Sequence, residues 1–306
     1  MTVMAPKTRE EWQKALDELP PSPAKIPAFF FAHSSPMMEI DIPVPMGKNG
    51  AVSHFLDDFG KVLLEKYHPK AIVVFSAHWD VDGQVLVTDY GNENPLYYDY
   101  YGFPSEFFQL KFKSHGDSNL AQRIVGLYKE AGLNARTTTA SEPRGVDGLG
   151  KTSSGFDHGV FLPFRRMFGL ETDIPIVEVS IDSSFDPEKE WKIGQALDEL
   201  RSEGILLLCG GLTIHNLRDR SCMHETKSAE IYRQFDNAVT QAVQVRDPQE
   251  RKNIMFDLVN HEGFRASHPT ADHFVPIYVA GGAGGNGDTK VLAAIHGALT
   301  VAFGLR

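Results

Sequence analysis

AIVVFSAH, residues 71–78, is a continuous apolar run, rich in β-branched residues, that closes on a histidine. Such a run matches a strand buried on both faces, because a half-exposed strand would alternate. Outward from it, IPAFFFAH (26–33) repeats the design and ends at His33. IPIVEVSID (174–182) reads as another strand, and GILLLCGG (204–211) as one that delivers Thr213 and His215. QVLVTDY (84–90) and the alternating FFQLKFK (107–113) are expected to add two more. Between these runs the spacing predicts helices over 53–67, 117–132, 186–202, 226–245 and 248–258. A short helix is expected over 8–19, where Thr8 and Glu11 make a capping-box pattern ahead of Trp12. Strands alternating with helices imply an α/β fold: a single domain with a central, mostly parallel or mixed sheet and helices on both faces. In such sheets function gathers just beyond the strand ends. His33, His78 and His215 all stand at or just past the end of an expected buried strand, so a metal site is expected there.

Bulk properties narrow the function. The net charge of −10 disfavours a nucleic-acid partner, which needs a basic face. No run reaches membrane-span length, so no membrane partner is expected. The N-terminus MTVMAPKTREEWQKAL lacks the apolar core of a secretory signal. Only Cys209 and Cys222 occur, with no CxxC, which excludes a zinc ribbon and a disulfide framework and implies a reducing, cytoplasmic setting. Cys209 sits in an apolar run and reads as core.

Two motifs are decoys. GVDGLGKT (145–152) matches the phosphate-loop pattern, but no buried strand precedes it and no helix is expected after it. GAGGNG (282–287) matches the dinucleotide pattern, yet too little chain follows for a βαβ unit, so it reads as a flexible glycine turn. No GxSxG elbow supports a serine hydrolase.

HPTADHF (268–274) holds two histidines around an aspartate. His268 and His273 would lie roughly 140° apart on a helix, so one helical face cannot present both. They also miss the HExxH spacing. One is expected to serve as a ligand and the other as support. Five histidines in all stand in distinctive settings: His33, His78, His158, His215 and His273. A lone histidine is usually structural, but three at strand ends in one α/β domain favour a site. With no thiolates at hand, imidazoles suit an N/O metal site with open positions, as in catalytic centres.

The segments FFAHSSPMM, FSAHW, YYDYYGFP, FDHGVFLPF, TIHNLRD and HPTADHFVPIYVAGGA, in that order, resemble the class III extradiol ring-cleaving dioxygenases. The branch they resemble most is the DOPA 4,5-dioxygenase type, related to the catalytic subunit of protocatechuate 4,5-dioxygenase. The resemblance implies a catalytic domain over 25–306, with 1–24 as an N-terminal extension carrying the short helix. It implies a mononuclear metal site, Fe(II) for activity with Zn(II) able to occupy it, that cleaves a catechol with O2 to a ring-opened semialdehyde. His33, His78 and His273 become the metal ligands, and His268 a supporting or helix-start residue. His215 becomes the acid/base, or a fourth ligand where the resting site holds Zn(II). His158 lines the substrate pocket and donates to reduced oxygen or to the opening ring. Many relatives use two histidines and a glutamate; here the third position is histidine, with Asp272 beside it as an alternative carboxylate ligand. DGLGKTSS (147–154) is an insertion between the usual Arg-Gly and Asp-His-Gly, expected near the site entrance.

The chemistry asks for this donor set. Triplet O2 reacts slowly with a singlet catechol unless an ion binds both, which takes about three protein ligands and three open positions. Ligand imidazoles need their second nitrogen held, for which Asp80, Asp157 and Asp272 are candidates. Tyr101 and Phe103 in YYDYYGFP are candidate walls for the catechol ring. Arg218 and Arg144 are candidate partners for a substrate carboxylate. Two other readings compete: a zinc-dependent hydrolase on the same scaffold, and a metal-bound protein without turnover. Zinc has no redox chemistry, so a zinc-only enzyme would have to hydrolyse.

Overall fold

The computed structural model describes residues 5–305. Helix α1 (Arg9–Asp17) carries the expected capping box, with Thr8 accepting from the Glu11 backbone. The chain then runs through β1 (Ala28–Ala32), α2 (Ala51–Tyr67), β2 (Ala71–Val81), β3 (Val85–Thr88), α3 (Ser118–Glu130) and β4 (Ala135–Thr138). A small hairpin, β5 (Gly145–Val146) and β6 (Thr152–Ser153), precedes α4 (His158–Phe168) and β7 (Ile176–Asp182). Next come α5 (Pro187–Gln195), β8 (Ile205–Gly211), α6 (Glu230–Ala242), α7 (Pro248–Asp257) and the single turn α8 (Phe264–Ser267). Helix α9 (Pro276–Gly284) and the hairpin β9 (Asp288–Ile295) and β10 (Ala298–Leu305) finish the chain.

The main sheet has eight strands in the order β4-β3-β7-β2-β8-β1-β10-β9. Its centre, β7-β2-β8-β1, is all parallel. β3 and β10 run antiparallel to it on either side. The sheet is therefore mixed, as expected. The two-residue period of a strand explains the two cores. Phe29, Phe31, Ile72 and Val74 face a cluster with Trp12 of α1, Phe55 and Phe59 of α2, and Phe161 of α4. Phe30, Val73 and Phe75 face the opposite cluster with α3, α5, α6 and α9. Residues of the N-terminal helix thus belong to the packed interior: Trp12 meets Phe55 edge-on at 5.9 Å.

Several local expectations are corrected. FFQLKFK is not a strand. Ser105–Gln109 forms a 3-10 turn, and only Lys113 bridges to Glu171. Its phenylalanines are covered by an aromatic cluster instead of a sheet: Phe108 packs on Tyr100 at 5.0 Å and Phe107 on Phe103 at 5.7 Å. The helix expected over 186–202 breaks into α5 and a 3-10 turn, Asp198–Glu203. GAGGNG is half helix. Gly281 and Gly282 lie in α9 against Trp191, whose carbonyl oxygen would sit 2.0 Å from a Cβ at Gly282. Only Gly285, at φ +58°, makes the turn. GVDGLGKT is the β5–β6 hairpin, whose Asp147 carboxylate accepts from the Leu149 and Lys151 backbones at 2.9 Å. Among the described residues no helix is long and apolar enough to cross a membrane.

Candidate metal centre

The parallel strands β1, β8 and β2 end at the same edge of the sheet. His33 is the first residue past β1, and His78 lies near the end of β2. The strand between them, β8, ends in Gly210 and Gly211. Neighbouring strands stand about 4.8 Å apart, so β1 and β2 are ~10 Å apart, and imidazoles leaning inward over side-chain-free glycines can meet. A bulge aids this: β2 advances from Phe75 to Asp80 while β7 advances only from Val179 to Ile181. The third imidazole comes from the turn before α9. That turn presses on β8, with Leu212 donating to the His273 carbonyl at 2.8 Å. A Cβ at Gly211 would lie 2.5 Å from the same oxygen.

The result is convergence. His33 Nε2 and His78 Nε2 are 3.2 Å apart. The nearest ligand atoms of His33, His78 and His273 all lie within 4.8 Å of one another. Two nitrogens each about 2.0–2.1 Å from one ion, at angles of ~90–110°, stand roughly 3.0–3.4 Å apart. A shared proton could satisfy two such nitrogens; a cation satisfies three. The donor set therefore fits a divalent ion. Burial, with neighbouring imidazoles adding to it, holds His33 and His273 well below the ordinary histidine range. Burial lowers His78 too, against the pull of Asp99. All three thus offer neutral lone pairs at neutral pH, as ligation requires. His33 and His273 are buried while His78 and His215 are half-buried, so the cluster opens on one side.

The outer nitrogens show which carboxylates matter. Asp272 accepts from His273 Nδ1 at 2.6 Å, as expected. Asp80 is a correction: it is exposed, and among the described residues no hydrogen bond joins it to a histidine. Asp99 takes that place, 3.4 Å from His78 Nδ1. Asp99 also accepts from His158 Nδ1 at 2.8 Å and from the His158 backbone at 2.9 Å. Its sequence signal was a lone carboxylate in the middle of YYDYYGFP.

His158 opens α4, with its ring 4.1 Å from that of His78. Burial alone would lower its pKa, but Asp99 raises it above the ordinary value. His215 stacks on His273 at 3.5 Å and 18°, and burial lowers it to about 4. The two flanking imidazoles are thus pushed in opposite directions.

Asp157 orients the backbone rather than an imidazole. It caps α4 by accepting from Gly159, and it accepts from Ser76 Oγ at 2.7 Å. Arg144, expected to meet a substrate carboxylate, is instead buried between Asp157 and Glu178, 2.8 Å from each. Arg218 lies exposed in the loop after His215. Tyr101 is 65% exposed, and its hydroxyl donates to the Val146 carbonyl. Phe103 packs on Tyr100. Tyr100, which sequence reasoning passed over, is the ring that reaches the site, edge-on to His158 at 5.8 Å.

His268 is fully buried among Phe235, Phe264 and Phe274. Its Nε2 meets the Thr213 carbonyl at 2.9 Å, and the His215 backbone donates to Ser267. It therefore pins the segment that delivers His215. Burial lowers it from 6.5 to about 3. The unfolded chain then binds that proton more readily, so this stabilisation is full above about pH 6.5 and is lost as pH falls toward 3. At pH 5 the loss from this residue is about 2 kcal/mol. Urea unfolding of metal-free protein at pH 7 and pH 5 is expected to show a smaller pH effect in His268→Gln than in the parent, by that amount. Equal pH effects would refute the assignment.

Residues 27–302 match the family described as the catalytic LigB subunit of aromatic ring-opening dioxygenase. The chain belongs to this family. A relative from Schizosaccharomyces pombe, named 4,5-DOPA dioxygenase extradiol-like protein, is 37% identical, with 99% of each chain covered. The 4,5-DOPA dioxygenase extradiol of Beta vulgaris is 32% identical over 84% of this chain and 86% of that one. A solved structure of an uncharacterised Escherichia coli K12 protein superposes with a TM-score of 0.66 at 26% identity, covering 92% of this chain and all of that one. The chain is an extradiol ring-opening dioxygenase with the α/β fold of its family.

One other cluster in this LigB-family chain mimics a hydrolase. Ser228 Oγ, His296 and Asp236 stand in triad order, at 3.3 Å for each contact. His296 Nε2, however, also faces the Cys222 carbonyl at 3.0 Å. A nitrogen that donates to a carbonyl cannot take a serine proton, and Ser228 is buried.

Proposed function

We propose that His33, His78 and His273 hold one divalent ion, Fe(II) in the active enzyme, and that the substrate is a catechol of the DOPA type, opened by O2 to a semialdehyde. The convergence of three imidazole nitrogens, with two at 3.2 Å, carries this reading. The relatives' names support the substrate class. A redox-active ion bound there supplies the electron exchange that lets triplet O2 react with a singlet ring.

The chain's own residues handle protons and position. Ring opening adds both oxygen atoms and consumes no net proton, so each proton taken from the catechol is returned. His215, neutral at pH 7, accepts a hydroxyl proton. His158, raised by Asp99 and with its Nδ1 occupied, donates from Nε2. Two titratable groups pushed apart by their surroundings mark an acid and a base. Three neutral ligands leave the ion's charge for the catecholate to neutralise. Tyr100 and Phe103 wall the ring, with Tyr101 and Arg218 at the rim. Zn(II) also fits these donors, but without redox chemistry it leaves the ring intact. Two buried free thiols, Cys209 and Cys222, suit a reducing cytoplasm.

The test is to strip the protein, load it anaerobically with Fe(II) or Zn(II), add DOPA and admit O2. Oxygen uptake and a yellow product are expected with iron only. His215→Gln should keep its metal while kcat falls about 10²–10⁴-fold. Stoichiometric iron without oxygen uptake on any simple catechol would sink the reading.

A further inference from the structure

We infer that Asp99 is a shared positioning residue: one carboxylate that orients both a metal ligand, His78, and the proton donor, His158. The inference rests on the metal site proposed above and extends it to a residue outside the ligand set.

The geometry divides the work between the two oxygens. Oδ1 takes two N–H groups of His158, from the backbone at 2.9 Å and from Nδ1 at 2.8 Å. That fixes the tautomer and leaves Nε2 as the free nitrogen of a ring that lies 4.1 Å from the ring of His78 and 6.4 Å from that of His33. Oδ2 faces His78 Nδ1 at 3.4 Å, on the side of the ring away from His33. A carboxylate behind a ligand imidazole fixes the ring and raises its basicity. A single side chain thus sets the distance between ion and donor.

Asp99 is held firmly enough for this. Its side chain is 11% exposed, and its backbone donates to Tyr97 at 3.0 Å. The β5–β6 hairpin clamps the loop that carries it. Gly148 donates to the Tyr98 carbonyl at 2.8 Å, and Tyr101 donates to Val146 at 2.8 Å. A Cβ at Gly148 would lie 1.9 Å from the Tyr100 carbonyl oxygen, so the two segments are in backbone contact. The insertion at 147–154 therefore braces Asp99 through the loop it grips.

The two oxygens can be tested apart. Asp99→Asn is nearly isosteric. Its Oδ1 can still accept both His158 donors, which sets its amide NH2 against the Nδ1–H of His78. Co(II) is the probe, read by its d–d spectrum on metal-free protein; O2 uptake gives turnover. Asp99→Asn should bind Co(II) about 10–100-fold more weakly and, at saturating Fe(II), keep kcat within about tenfold. Asp99→Ala should share that affinity loss and also lose about 10²-fold or more in kcat, with a smaller change in the KM for the catechol. His158→Phe should lose kcat while its Co(II) affinity stays within about threefold, since it is no ligand. Parent-like Co(II) affinity in both Asp99 variants would overturn the inference and leave the metal site standing. Failure of the parent to bind Co(II), or a parent spectrum unchanged in His33→Ala, would overturn both.

Discussion

His273→Ala is expected to lose bound metal and ring opening together. The substitution removes one of three converging nitrogens, and the two that remain, His33 Nε2 and His78 Nε2, are close enough to share a proton instead. It also strips Asp272 of the N–H it accepts at 2.6 Å and His215 of the ring on which it stacks. Loss of a partner behind a ligand typically costs 10–100-fold in metal affinity, so loss of the ligand itself should cost more than about 100-fold. The ion contributes several kcal/mol to such reactions, and about 4 kcal/mol is roughly a thousandfold in rate. Metal content and oxygen uptake measured on one preparation check both effects. His268→Gln is the control five positions earlier, and it should keep stoichiometric metal, because its imidazole faces the Thr213 carbonyl. If His273→Ala keeps its metal and His268→Gln loses it, the assignment of ligand within HPTADHF is reversed.

Arg144→Met is expected to give the largest loss of stability. The guanidinium lies 2.8 Å from both Asp157 and Glu178, with side-chain exposures of 5, 0 and 0%. It also stacks on Trp79 at 4.5 Å. Burial pushes Glu178 well up, so it tends to keep its proton, while Arg144 overcomes burial to hold Asp157 ionised. Removing the cation leaves a buried anion without its counter-charge, which costs about 3–5 kcal/mol. That is a third or more of a typical folding stability of ~5–15 kcal/mol. The surface pair Arg136–Glu142 has the same 2.8 Å separation but exposures of 48 and 45%. Arg136→Met should therefore cost only about 0–1 kcal/mol. Urea unfolding of both variants tests the contrast, and equal midpoints would show that burial does not set the scale. Because Asp157 caps the helix that begins at His158, Arg144→Met should also lower turnover in whatever fraction folds.

Reading the sequence succeeded where a strand is buried on both faces. β1, β2, β7 and β8 leave continuous apolar runs, and parallel strands place their ends on one edge, so His33, His78 and His215 could be grouped without coordinates. It failed where side chains are covered by something other than a regular element. FFQLKFK alternates like a strand, yet Phe107 and Phe108 pack into a loop cluster. Helix α4 was not read as a helix because Pro163 sits inside it, and α9 because it is rich in glycine, which there permits close contact with Trp191. The β9–β10 hairpin passed unnoticed although it turns at Gly297, a glycine at φ +73° between apolar runs. Arg144 looked like a free loop arginine and proved to be the centre of a buried ion cluster.

The sequence by itself determined the fold class and set His33, His78 and His215 at one sheet edge, because both follow from local pattern: which runs are apolar, how long they are, and which residue ends them. The tertiary structure alone decided that Asp99 stands behind His78 and His158, that Asp80 does not, and that Arg144 faces inward. Those contacts join segments tens of residues apart, and their strength depends on how far water is excluded, a property that no local pattern encodes.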